Sequence, residues 1–168
     1  MKCILTPNPN APYNLKRIMP AYESLTLGHM SEDELIEFAI DRNKAAGVIA
    51  DGASYWIVEH SDLPGGSLSE DNDYFFDAWE WDGGVTVSMA KARTIHMNVI
   101  REARNKELAA KDITFMRAIE AGDASAQSTI AAEKQALRDL PTTFDITTDV
   151  DTPEKLKAKW PTELPDRE

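Results

Sequence analysis

The chain has 168 residues, 29 acidic side chains against 18 basic ones, and a formal net charge of −11. That balance argues against nucleic acid and anionic membrane as partners, because binding phosphate needs a net basic face. Cys3 is the one cysteine, so no internal disulfide can form, and no apolar run approaches the length of a membrane span. The N-terminus also lacks the apolar core of a secretory signal. The expectation is one domain, or one small domain plus an appendage, made as a soluble protein in the cytoplasm.

Lys2–Thr6 is a short apolar run, and Leu15–Met19 is another, with the turn material Pro7-Asn8-Pro9-Asn10-Ala11-Pro12 between them. The two can pair antiparallel. Ser31 followed by Glu34 reads as a capping box, in which each residue satisfies the other's backbone N–H. Leu35, Ile36, Ala39 and Ile40 then recur at helical spacing through about Ala46, and Gly47 closes the helix. Tyr55–Glu59 is aromatic and β-branched, which favours a strand. Leu63–Ser67 is loop material, and Ser69–Asp73 is an acidic stretch. In Tyr74–Trp81, alternation places Trp79 and Trp81 on one face with Phe75. Asp82-Gly83-Gly84 is a hairpin turn and Val85–Val87 the returning strand. Residues 1–87 thus read as a small α+β head.

Residues 88–140 read as a helical hairpin. From Ser88 to Ala121 there is neither proline nor glycine. Ala92, Ile95, Val99, Ala103, Ala110, Ile113, Met116 and Ile119 form an apolar stripe with helical periodicity. Gly122 suits the left-handed residue after a helix, and Asp123 or Ser125 can cap the next one. Ala126, Ile130, Leu137 and Leu140 give that second helix its own stripe, which Pro141 is expected to end. So short a turn makes the helices antiparallel neighbours. The stripe is rich in alanine and poor in large side chains, so the hairpin must lean on the rest of the chain or on another chain. Residues 141–168 form an extended tail, with a short helix near 153–160 opened by Thr152-Pro153 and carrying Leu156 and Trp160 on one face. The predicted class is therefore α+β: a mixed head, a long antiparallel helical hairpin and a Pro-containing tail.

The pattern offers surfaces rather than a reaction centre. His29, His60 and His96 stand at no metal-ligand spacing with one another or with Cys3. Glu70, Asp71, Asp73 and Asp77 lack the glycine and terminal glutamate of a calcium loop. There is no phosphate-cradling glycine loop and no nucleophile elbow. No catalytic, cofactor-binding or metal-ligating residue is assigned, and no enzyme activity is expected. The aromatic set Tyr55, Trp56, Tyr74, Phe75, Phe76, Trp79 and Trp81 either fills a small sheet or supplies interface anchors. The candidate partner-binding residues are Trp56, Trp79, Trp81, Ile95, Val99, Ile113, Ile130 and Trp160. Charge is uneven: residues 1–87 carry 5 basic and 15 acidic side chains, whereas Lys91, Arg93, Arg101, Arg104 and Lys106 cluster early in the hairpin. That basic run is either a solvated face or a docking face for something acidic.

The stretches YWIVEHSDLP, FFDAWEWDGGVTVSMAKARTIH, FMRAIEAGD, AAEKQALRDLP and LKAKWPTELP resemble small proteins encoded among the tail genes of tailed bacteriophages and prophages. The layout also resembles that of tail fibre assembly chaperones. The similarity covers roughly residues 55–168 and is carried by structural motifs, so it transfers no catalytic residue. It implies a protein that binds a tail fibre or another tail protein, as assembly chaperone or virion subunit. It would act in the host cytoplasm during assembly or in the virion tail, and self-association is open. A different class also stays open: a phage-encoded acidic inhibitor or mimic occupying a basic host protein surface.

Overall fold

The computed structural model describes residues 1–8, 15–22, 30–64 and 74–167. The turn material at 9–14, His29, the loop at 65–67 and the acidic stretch at 69–73 lie outside the described residues. The chain divides into two compact units, Met1–Ser88 and Met89–Glu168. The tail therefore belongs with the hairpin.

The first unit is layered. Strands β1 (Lys2–Pro7), β2 (Leu15–Ile18) and β3 (Trp56–Glu59) form an antiparallel sheet in the order β2-β1-β3. Ile4 pairs with Ile18 and Ile57, and Leu5 pairs with Arg17 and Trp56. Side chains alternate across a strand, so this register assigns each row to one face. Ile4 and Ile18 pack with Ile36, Ala39 and Ile40 of helix α1 (Glu32–Ala45). Helix α1 starts where the sequence placed it, with both halves of the Ser31–Glu34 capping box present. On the other face Cys3, Leu5 and Val58 meet the hairpin of β4 (Trp79–Trp81) and β5 (Val85–Val87), with Trp79 at the centre. Arg17 lies over the rings of Phe76 and Trp79, at 5.3 and 5.8 Å.

The second unit is built on α2 (Met89–Glu120) and α3 (Ala124–Thr143), joined at Gly122 with φ +69°. The 32 residues of α2 run about 48 Å at 1.5 Å per residue. The Asp123 carboxylate accepts from the Ala126 N–H at 2.9 Å and so caps α3. The short helix α4 (Pro153–Ala158) is capped by Thr152 with Pro153 in its first turn, and it packs on α2. Near the open end of the hairpin Met97, Ile100, Leu137, Leu140 and Leu164 form a core, flanked by Phe144, Ile146 and Trp160.

Toward the Gly122 turn the seam between the helices is largely polar. Lys111 pairs with Glu133 at 2.7 Å, and Lys134 pairs with Asp112 while lying over the Phe115 ring. Gln127 donates to the Ala118 carbonyl at 3.1 Å.

Three expectations change. Phe76–Ala78 forms a 3-10 turn, so the strand begins only at Trp79 and Phe75 does not belong to its alternation. Helix α3 continues through Pro141 to Thr143: the proline has no N–H to give the Leu137 carbonyl and crowds it, but it sits in the last turn, and the Leu140 carbonyl still accepts from the Phe144 N–H. The buried face of α2 carries Ala92, His96, Met97, Ile100 and Ala118, while Ile113, Met116 and Ile119 point to solvent. The apolar stripe is thus split between two faces, because charged pairs take the seam positions where isoleucine was expected.

Candidate interaction surfaces

In the head, the β3/β1 register brings Trp56 beside Leu5 on the hairpin side of the sheet, where Trp81 of β4 stacks on it. The two rings lie 4.4 Å apart and 13° from parallel. Both are half-buried, and with Pro7, Asn8, Leu15 and Glu80 they line a shallow cleft of about 350 Å³. Two stacked indole rings thus form one apolar wall of the cleft, beside the Glu80 carboxylate. Trp79, placed with them by alternation, is 1% exposed. It is the central core side chain of this layer and cannot contact a partner: of the two alternate tryptophans of so short a strand, the first is enclosed by Phe76, Arg17 and the sheet, and the second reaches the edge.

On the hairpin, Ile95, Val99 and Ile130 are half-buried. Ile113 is 58% exposed, Met116 55% and Ile119 46%. The three follow one another at i, i+3 and i+6 along α2, with the exposed Ala109 and Ala110 one turn before. Three large apolar side chains in a row on a regular helix are unusual for a surface that only meets water.

Trp160 is tethered rather than free. Its indole N–H donates to the Pro165 carbonyl at 2.9 Å, and Arg167 covers its face at 4.6 Å. Its edge meets the His96 ring at 6.3 Å. Two side chains of α2 hold the tail by its main chain: His96 Nε2 lies 2.7 Å from the Lys159 carbonyl, and Arg93 donates to the Val150 carbonyl at 3.1 Å. Lys159 returns a bond to the Thr148 carbonyl at 2.7 Å. Trp160 thus organises the tail at the open end of the hairpin, far along α2 from Ile113.

No known protein family, curated protein or solved structure matches this chain. Its possibilities have to be read from its own side chains.

The perturbed titratable groups are structural in their surroundings. Burial pushes the Cys3 thiol up to about 11, so it is not a thiolate nucleophile at neutral pH. Burial holds His60 and His96 below the ordinary histidine value and raises the Asp77 carboxyl above its own. Tyr22, also raised mainly by burial, accepts from the Lys2 N–H and donates to the Lys2 carbonyl, fixing the start of β1. Among the described residues, no three histidine, cysteine or carboxylate side chains are grouped to hold a metal ion. Among the same residues, no helix is long and apolar enough to cross a membrane. Arg93, expected in a basic run that is solvated or docks on something acidic, instead donates to a tail carbonyl of its own unit; its role, like those of Arg17 and His96, depends on a carbonyl or indole face that only the fold brings within reach.

Proposed function

We propose that the chain is a tail-associated protein of a tailed bacteriophage that binds a tail fibre or neighbouring tail protein, as assembly chaperone or virion subunit. The observation that carries this reading is that each compact unit has apolar side chains at its surface: the half-buried Trp56–Trp81 cleft in one, the exposed Ile113–Met116–Ile119 row in the other. Two separate surfaces suit a protein that engages other polypeptides. The tail setting is part of the proposal and rests on the sequence pattern of residues 55–168 alone. The net charge of −11 favours a protein partner over nucleic acid. The chain works in this reading by binding alone, without catalysis or cofactor.

Affinity capture from infected cells with the tagged full chain tests the reading. A tail protein should co-purify, and Trp81→Ala should reduce its recovery roughly tenfold while leaving the helical circular-dichroism signal intact. Normal tails and fibres after deletion of the gene would sink the reading. Mass spectrometry of purified virions separates the subunit from the chaperone.

The charge of the head favours one second reading. Its 15 acidic against 5 basic residues could occupy a basic host protein, as an inhibitor or mimic. Binding of that kind weakens steeply with salt, and salt-independent capture rejects it.

A further inference from the structure

We infer that the outward face of α2 binds a second copy of this chain, the two α2 helices running antiparallel with their Ile113 side chains meeting on the two-fold axis. This rests on the reading of the Ile113–Met116 row as a docking surface, and names its occupant.

At about 100° per residue, Lys106, Ala109, Ala110, Met116, Arg117 and Glu120 all fall within about 60° of Ile113 around the helix. Every one of them is exposed. Within the unit, α3 packs on the opposite side of α2, through Ile100, Lys111 and Ala118. The Ile113 face is left open by that packing.

The face is complementary to its own reversal. Lys106 and Glu120 stand equally far from Ile113, one toward each end of the helix, about 10 Å away at 1.5 Å per residue. Turning a second helix end for end about Ile113 sets each Lys106 against Glu120 of the other copy, closing two ion pairs at the margins. The same turn sets Met116 against Ala109 and Arg117 against Ala110, so long flexible side chains meet small ones and the backbones can approach. A parallel pair in register would set lysine on lysine and glutamate on glutamate, and is disfavoured. A foreign helix would need this order of charge and size independently, whereas a second copy supplies it by symmetry. The apolar part is short, so the association is a reversible one, with a midpoint expected between about 1 µM and about 1 mM.

Sedimentation of the full-length chain from about 1 µM to about 1 mM tests this across the expected midpoint. A monomer–dimer equilibrium is expected, weakened roughly tenfold or more by Met116→Lys. Lys106→Glu and Glu120→Lys should each weaken it, and the double exchange should restore it. Ile113→Cys should oxidise to a disulfide-linked dimer, Cys3 being buried, while Gln135→Cys on the exposed side of α3 should not. These positions are exposed, so the helical signal should be unchanged in every variant. A chain that stays monomeric throughout overturns the proposal, and so does a dimer indifferent to the charge exchange or without the cross-link at position 113. Capture of tail protein is a separate measurement: a monomer that still captures refutes only the dimer, and a dimer that captures nothing refutes only the tail-binding reading.

Discussion

Since a carbonyl oxygen can only accept, the His96 ring must keep its proton on Nε2 to bond Lys159. The ring is fully buried, and burial lowers its affinity for a second proton, with Arg167 adding to the effect against the opposing pull of the Lys159 bond. A histidine that binds protons less tightly folded than unfolded contributes stability in full above its unfolded value near 6.5. That contribution is lost as the pH falls from there through the lowered folded value. His60 acts in the same direction. Asp145 and Asp151 are lowered by their hydrogen bonds, so their contributions fade only at carboxylate pH, below about 4. Melting temperature should therefore drop between about pH 7 and pH 5, and the drop should shrink in His96→Leu. An unchanged slope in that variant would remove His96 from the account. At neutral pH the same substitution strands the Lys159 carbonyl and should cost about 1–3 kcal/mol by chemical denaturation.

Among elements, the hairpin separates two kinds of isoleucine. Ile100 is fully buried in the core shared with Leu137 and Leu140, so Ile100→Ala should cost about 2–5 kcal/mol. Ile113 is mostly exposed, and Ile113→Ala should change monomer stability by less than about 0.5 kcal/mol. Equal losses would mean that Ile113 is packed. At the turn, Gly122 adopts φ +69° with open space where a Cβ would stand, so Gly122→Ala should cost about 1 kcal/mol, from backbone strain rather than collision. A neutral result in a thermal melt would show that the turn relaxes. Element boundaries were readable wherever the determinants are local: the Ser31–Glu34 box, the Gly122-Asp123 turn and the Thr152-Pro153 start all stand as expected. The facing of α2 was not, because Lys111, Lys134, Asp112 and Glu133 close the seam only once α3 is opposite. Hydrophobic periodicity then points at the wrong side. Nor does alternation distinguish Trp79 from Trp81, since depth depends on what covers each ring.

Across the whole molecule, the first unit has cores on both faces of its sheet and the second has its own around Ile100 and Leu137. Trp56, Trp79 and Trp81 report on the first, while the long helices α2 and α3 belong to the second. In a Trp160→Phe variant, tryptophan fluorescence and far-ultraviolet circular dichroism should give unfolding curves with different midpoints in urea. Superimposed curves would indicate one cooperative unit.

The attachment of the tail to α2 has an evolutionary corollary. Val150 and Lys159 are gripped through carbonyl oxygens, which every amino acid possesses, whereas the donors are the particular side chains of Arg93 and His96. Thr148 likewise offers only its carbonyl to Lys159. Selection for the grip would therefore fall on the donors, and Thr148 would be held only by its own bonds to Asp145. A saturation library sorted for folded protein should be depleted more strongly at positions 93 and 96 than at 148, where the side chain serves Asp145 alone.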